Sequence, residues 1–428
     1  MNKNRRFTIF FLVISTSIFS QDIKYARKVI DTLCSPYMGG RGYVDDGMHR
    51  AADYINHEFE TIQLKKFTKD YTQNFDIHVN TFPSEMLVKI DGNELVPGID
   101  FLVSSSSTGI KGEFGVEWLN PAWIKDENKI KEFARKDFTD KVLIVELSNN
   151  LKDTAIANFY QQLRTENIFH VAAVFFTTDA ESLSWDCSGA LQPFDFLLVD
   201  VKKNKIDLSA KRIKINIKNK YYKTYPVQNI IGYSVGEKPD SFIVFTAHYD
   251  HLGKMGANAM FPGAHDNASG ISMMLDLAKY FNMPEHKQKY SIAFMAFCCE
   301  EAGLIGSWYY TTHPLFPLGK IKFLINLDIL GTGSEGIQIV NSVNHKNEFE
   351  KIKAINNEKK YVADVKPRGN AADSDHYFFT QKNVPAIFIY TLGKEYGEYH
   401  TVNDKPKDLP LTVYYPLFLL IKDFIQSY

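Results

Sequence analysis

The chain has 428 residues, 45% hydrophobic and 23% charged, with 49 Lys+Arg against 50 Asp+Glu and a formal net charge of −1. That length and apolar content allow two or three domains with full cores and exclude a disordered chain. The near-neutral balance offers no electrostatic attraction for nucleic acid or an anionic membrane surface, so neither partner is expected.

The first element is an export signal. Met1 to Arg6 is basic, Phe7 to Phe19 is apolar, and Ser15, Ser17 and Ser20 are small residues ahead of Gln21. Residues 1–20 therefore read as a cleaved signal peptide. The apolar stretch is shorter than the ~20 residues a membrane span needs, and no Cys follows it to carry a lipid. The mature protein is expected to be periplasmic or secreted, with no stable membrane anchor. In such a compartment Cys34 and Cys187 could bridge, although sequence does not set their separation. Cys298-Cys299, after an apolar run, read as buried small hydrophobes.

Three zones follow. Between Ile23 and Phe67, a Gly39-Gly-Arg-Gly42 loop precedes Ala51, Ala52, Tyr54, Ile55, Phe59, Ile62 and Leu64, apolar at helical spacing. The texture then changes to short β-rich runs separated by Gly, Ser, Asn and Asp turns: Met86–Ile90, Val142–Val145, Val171–Phe176 and Ile213–Ile217. This zone has no His or carboxylate cluster at ligand-like spacing. From Tyr225 onward, apolar strands alternate with amphipathic helices, the pattern of an α/β domain with a mostly parallel central sheet and helices on both faces. The domain division is therefore 21–82 and 223–428 for the α/β domain and 83–222 for an inserted β-rich domain.

The α/β zone carries the chemistry. The run Phe242–Ala247 reads as a buried strand delivering His248, beyond whose carboxyl end ligands bind in open sheets. Asp250 is expected to accept the other ring N–H of His248 and fix its tautomer. Asp266 precedes the apolar helical face of Ile271–Phe281, where Asp266 or Asn267 would serve equally as a helix cap. The run Ser291–Phe297 is a second strand ending in Glu300-Glu301. Adjacent glutamates there either complement a helix dipole or divide into one metal ligand and one proton acceptor. Ile321–Leu327 delivers Asp328, and Tyr399-His400 lies in a polar loop between Ala386–Tyr390 and the closing helix. Two histidines and several carboxylates at strand ends suit Zn²⁺, which takes nitrogen and oxygen donors and leaves a position for water at a reactive site.

The segments Ala247-His-Tyr-Asp-His-Leu-Gly253 and Asp266-Asn-Ala-Ser-Gly270, followed by Glu300-Glu301, Asp328 and His400, resemble the zinc aminopeptidases of clan MH. The middle zone more loosely resembles the protease-associated domain often inserted in them. The resemblance implies a metal-dependent exopeptidase acting on a peptide or small peptide-like substrate, with two Zn²⁺ per chain around one water. His248 and Asp328 would serve one zinc, Glu301 and His400 the other, and Asp266 would bridge them. Glu300 would be the general base, Asp250 would orient His248, and Tyr399 would donate to the oxyanion or simply pack. The resemblance also implies a cis peptide at Asp266-Asn267. Asp373-Ser-Asp-His376 is similar to a stretch lining the substrate side in relatives, or else caps a helix beginning near Tyr377. His265 and Val402 depart from the family pattern, at positions that would touch specificity or loop stiffness. A glutaminyl cyclase-like transferase with one zinc and a non-catalytic binding ectodomain are the alternatives.

Overall fold

In the computed structural model of the protein, residues 23–147 and 153–428 are described. The export-signal reading of residues 1–20 lies outside the described residues. Among those described, no helix is long and apolar enough to cross a membrane.

Two eight-stranded sheets organise the chain. The first is mixed, with strands in the order Thr72–Thr81, Lys220–Ser234, Tyr290–Phe297, Lys238–His248, Ile321–Leu327, Ala386–Leu392, Gly336–Val340 and Val365–Pro367. Its centre, the four strands from Tyr290–Phe297 to Ala386–Leu392, is parallel, and antiparallel pairings flank that centre.

The alternation of strand residues explains why helices cover both faces. Ile243, Phe245 and Ala247 point into one core with Ile292, Phe294 and Ala296, against the helices Ile23–Leu33, Gly47–Ile62, Ser269–Phe281 and Tyr414–Gln426. Phe242 and Val244 point to the other side with Ala293, Met295 and Phe297, against Tyr310 and Phe379 of the helices Ile305–Thr312 and His376–Gln381. A strand wrapped on both faces reads as a continuous apolar run. That is why Phe242–Ala247 stood out in the sequence.

The second sheet lies between the long antiparallel strands Thr72–Thr81 and Lys220–Ser234, which leave the first sheet as a pair. It contains Leu87–Ile90, Asn93–Glu94, Phe101–Val103, Lys111–Leu119, Lys141–Glu146, Ala173–Thr178, Leu197–Lys202 and Arg212–Asn216. Helices Glu127–Phe133 and Thr154–Thr165 alternate with its strands, a feature the short apolar runs did not disclose. Asp126 and Asp153 cap these helices by accepting amides in the first turn. The core of this region continues into Leu252, Met255, Ala259 and Phe261, so it packs directly on the segment between His248 and Asp266.

The Gly39-Gly-Arg-Gly42 loop packs backbone to backbone against the hairpin Gly253–Met255/Ala259–Phe261. A Cβ on Gly40 would sit 2.5 Å from the carbonyl oxygens of Gly253 and Phe261, and one on Gly42 would sit 2.4 Å from the Gly253 Cα. Only glycine allows that approach.

Candidate metal centre

Strand ends bring the predicted residues together. His248 closes its strand, Asp328 follows Ile321–Leu327, and Glu300 and Glu301 follow Tyr290–Phe297 through a tight turn. Loops bring Asp266 and His400 to the same point. His248 Nε2 lies 3.2 Å from Asp266 Oδ1 and 3.3 Å from Asp328 Oδ1. His400 Nε2 lies 2.9 Å from Asp266 Oδ2 and 3.1 Å from Glu301 Oε2. The two oxygens of Asp266 thus face different histidines. Glu300 stands slightly back, with its Oε2 4.0 Å from His248 Nε2. The Asp266-Asn267 peptide is cis. Asn267 takes the local hydrogen bonding that Asp266 was also fitted for, since its Oδ1 accepts the Gly270 amide at 2.9 Å and its Nδ2 donates to the Leu327 carbonyl. Asp266 is thereby left to point into the cluster.

Asp328, Glu301 and the Asp266 loop have orienting partners behind them, the arrangement that fixes ligand rotamers at metal sites. Ser374 donates to Asp328 Oδ2 at 2.7 Å, and His251 Nδ1 lies 2.7 Å from Glu301 Oε1. Asp404 accepts the amides of His265 and Asp266 with its carboxylate and receives the Tyr396 hydroxyl. His265 Nδ1 accepts the Gly331 amide; burial lowers this imidazole to about 4, so it is a neutral acceptor that fixes the loop.

The Asp250 carboxylate faces His248, as expected, but is not its nearest acceptor. The atom within hydrogen-bond reach of His248 Nδ1 is the backbone carbonyl of Asp250, at 3.2 Å, while the carboxylate lies 3.7 Å away, beyond hydrogen-bond range. Its carboxylate instead accepts the amides of Glu300 at 3.1 Å and Glu301 at 3.3 Å. Asp250 therefore positions the two glutamates. The helix-dipole alternative for them also falls away, because the nearest helix begins at Ile305 and the Glu300 and Glu301 amides are already taken.

Arg41 is fully buried. It donates to the carbonyls of Tyr249, Leu33, Pro262, Gly263 and Asp266, tying the His248 strand end to the Asp266 loop. Nothing in its sequence position distinguished it from a loop residue. Replacing Arg41 by methionine would leave these buried carbonyls without their donor, and the expected cost is about 3 kcal/mol or more. Denaturant unfolding of the zinc-free protein, where metal linkage does not contribute, measures it; a loss below about 1 kcal/mol would show that the clamp is not needed.

Buried carboxylates outnumber the histidines here, and the electrostatics follow from that imbalance. Burial alone would lower His400, but Glu301 and Asp266 beside it raise it to about 11. Burial likewise opposes, and Asp328 and Glu300 outweigh it, at His248, which is held well above the usual imidazole range. Burial, together with Glu301, Asp328 and Asp375, pushes Glu300 well above the usual carboxylate range, against the pull of His248. A cluster with this surplus of buried negative charge is suited to binding a cation. Its donor set, imidazole nitrogen and carboxylate oxygen, fits zinc.

A cleft of about 420 Å³ opens on the cluster. Glu300, Glu301, Ala372, Asp373, Tyr399 and His400 line it, and so do Ser184, Trp185, Asp186 and Ser188 of the inserted region. That region, which had no ligand-like cluster of its own, thus supplies one wall. Tyr399 is half exposed, its ring stacked on the His400 imidazole at 3.9 Å. The Asp373–His376 stretch divides between readings. Asp373 lines the cleft and pairs with Arg368, whereas Ser374, Asp375 and His376 are fully buried, and the Asp375 side chain does not cap the helix it precedes. Cys34, Cys187, Cys298 and Cys299 are all buried free thiols, so no bridge joins Cys34 to Cys187.

Comparison with known proteins fits this arrangement. Residues 229–422 match the profile of peptidase family M28. The matched stretch is the part of the chain that carries His248, Asp266, Glu300, Glu301, Asp328 and His400. Aminopeptidase YwaD of Bacillus subtilis is 29% identical to the chain over 217 residues, 48% of the chain and 46% of that protein. A probable zinc metalloprotease of Pyricularia oryzae is 33% identical over 120 residues, 26% of the chain and 24% of that protein. The matched stretches thus span about half the length of the former and about a quarter of the latter. Among solved structures, a zinc aminopeptidase from Bacillus subtilis superposes with a TM-score of 0.70 at 21% identity, covering 94% of both chains. A peptidase M28 precursor from Shewanella amazonensis gives 0.69 at 13% identity, covering 95% of this chain and 93% of its own. These two structures share the fold over nearly the whole chain, inserted region included.

Proposed function

We propose that this chain is a metal-dependent aminopeptidase of peptidase family M28 working with two zinc ions. The observation that carries the reading is the division of the Asp266 carboxylate, with Oδ1 3.2 Å from His248 Nε2 and Oδ2 2.9 Å from His400 Nε2. His248 and Asp328 would hold one ion and Glu301 and His400 the other, with Asp266 shared. When bound, such ions supply the Lewis acidity that polarises a scissile carbonyl and acidifies water.

The chain's own residues do the rest. Glu300, pinned through its amide by Asp250, faces the cleft with its Oε2 4.0 Å from His248 Nε2. It suits a group that takes a proton from water and hands it to the leaving amine. Tyr399 stands at the rim, where its hydroxyl can donate to the carbonyl oxygen as charge develops. Glu300, Glu301, Asp186 and Asp373 line the cleft with no lysine or arginine among its lining residues, which favours the cationic free amino terminus of a peptide. The names of the curated relative and of the superposed structure support the same choice. The basic and apolar start of the sequence supports export to the periplasm or medium.

The test is hydrolysis of aminoacyl chromogenic substrates. Chelation is expected to abolish it and zinc to restore it, while the Nα-acylated forms are expected to be turned over at least about tenfold more slowly. Equal turnover of free and acylated substrates would overturn the aminopeptidase assignment.

A further inference from the structure

His400 reaches the cluster in a left-handed backbone conformation, φ +57°, which a residue with a Cβ adopts only where its surroundings hold it. The holder is in the inserted region. The amide of Trp185 donates to the His400 carbonyl at 2.9 Å. Trp185 is itself fixed at three points: its indole Nε1 donates to the Val103 carbonyl at 2.7 Å, its ring stacks on Phe261 at 5.0 Å, and it is buried. Farther along the same segment, the Ser106 hydroxyl donates to the Gly189 carbonyl at 2.8 Å. On the other side of His400, Val402 packs against the core of the inserted region, close enough to Gly98 that a Cβ there would lie 2.8 Å from Val402 Cγ1. The left-handed residue is thus gripped from both flanks by a part of the chain that supplies no ligand.

The hydrogen bonds that hold the ligands of the other metal position stay outside the inserted region. His248 and Asp328 sit at the ends of adjacent strands of the first sheet, and their orienting groups, the Asp250 carbonyl and the Ser374 hydroxyl, belong to the same domain. We propose that Trp185 is a positioning residue for His400, so that the inserted region sets the affinity of the Glu301/His400 metal position and leaves the His248/Asp328 position unaffected. This rests on the two-metal reading above.

The test is zinc titration of the full chain in a chelator-buffered series, reading bound zinc per chain, with circular dichroism to establish folding. Wild type is expected to bind two. Trp185→Ala is expected to keep one site at wild-type affinity and weaken the other at least about tenfold, in the range found when groups that orient metal ligands are removed. Trp185→Phe, which keeps the ring stack, is expected to fall between the two. If Trp185→Ala does not fold, Val402→Ala, a smaller truncation on the opposite flank, is expected to give the same one-sided weakening. A wild type binding only one zinc would sink the two-metal reading itself. A wild type binding two, with a folded Trp185→Ala or Val402→Ala binding both as tightly, would overturn the positioning role alone. Equal weakening of both sites would do so as well.

Discussion

Glu300→Gln is expected to lower kcat by about 10³-fold or more while leaving the zinc content unchanged. The magnitude is that of a lost general base, and the amide keeps the size of the carboxylate but cannot take a proton at neutral pH. The invariance of the metal content is the more discriminating half. His248, Glu300 and Glu301 are close enough together to form a ligand set of their own, so a competing assignment makes Glu300 a ligand. Geometry favours the base: Glu300 Oε2 is 4.0 Å from His248 Nε2, against 3.2 and 3.3 Å for Asp266 and Asp328. It also remains partly open to the cleft while Asp266, Glu301 and Asp328 are buried. Metal analysis alongside steady-state kinetics decides between the two. If Glu300→Gln loses zinc in proportion to activity, Glu300 is a ligand; if it keeps near wild-type turnover, the base lies elsewhere.

The same distances explain how much of the centre could be read from the sequence. His248 and Asp328 were legible because each ends a strand buried on both faces, where the apolar run is long and the polar residue after it is conspicuous. Glu300 and Glu301 were legible for the same reason, although their amides are held by Asp250 in a turn and not by a helix. The supporting groups were not legible, because what gives them meaning is contact across long sequence separations. Arg41 reaches carbonyls more than 200 residues away, Asp404 reaches His265, and Trp185 reaches His400. His251 stood inside the quoted Ala247–Gly253 motif, yet only the fold shows its imidazole against the outer oxygen of Glu301. A backbone carbonyl doing the work expected of the Asp250 carboxylate is likewise invisible to residue-type reasoning, since every residue carries one.

Asp266→Asn puts the shared carboxylate itself to the test. The substitution preserves shape and leaves the backbone contacts to Asp404 and Arg41 in place, so the loop is expected to remain folded. It turns one of the two oxygens into an NH₂ group, which is a donor and cannot ligate a cation. Whichever way the amide orients, one of the two histidines then faces a donor where it faced an acceptor, and the negative charge that both positions used is gone. Bound zinc is therefore expected to fall from two per chain to one or fewer. The retained ion is expected to be weakened by about tenfold or more, and kcat/KM to fall by at least about 10³-fold. His400→Ala provides the contrast, because it removes a donor from one position only and is expected to leave the His248/Asp328 ion at wild-type affinity. If Asp266→Asn instead matched His400→Ala, weakening one position and sparing the other, Asp266 would belong to a single ion. The two oxygens facing different histidines would then reflect packing and not a bridge.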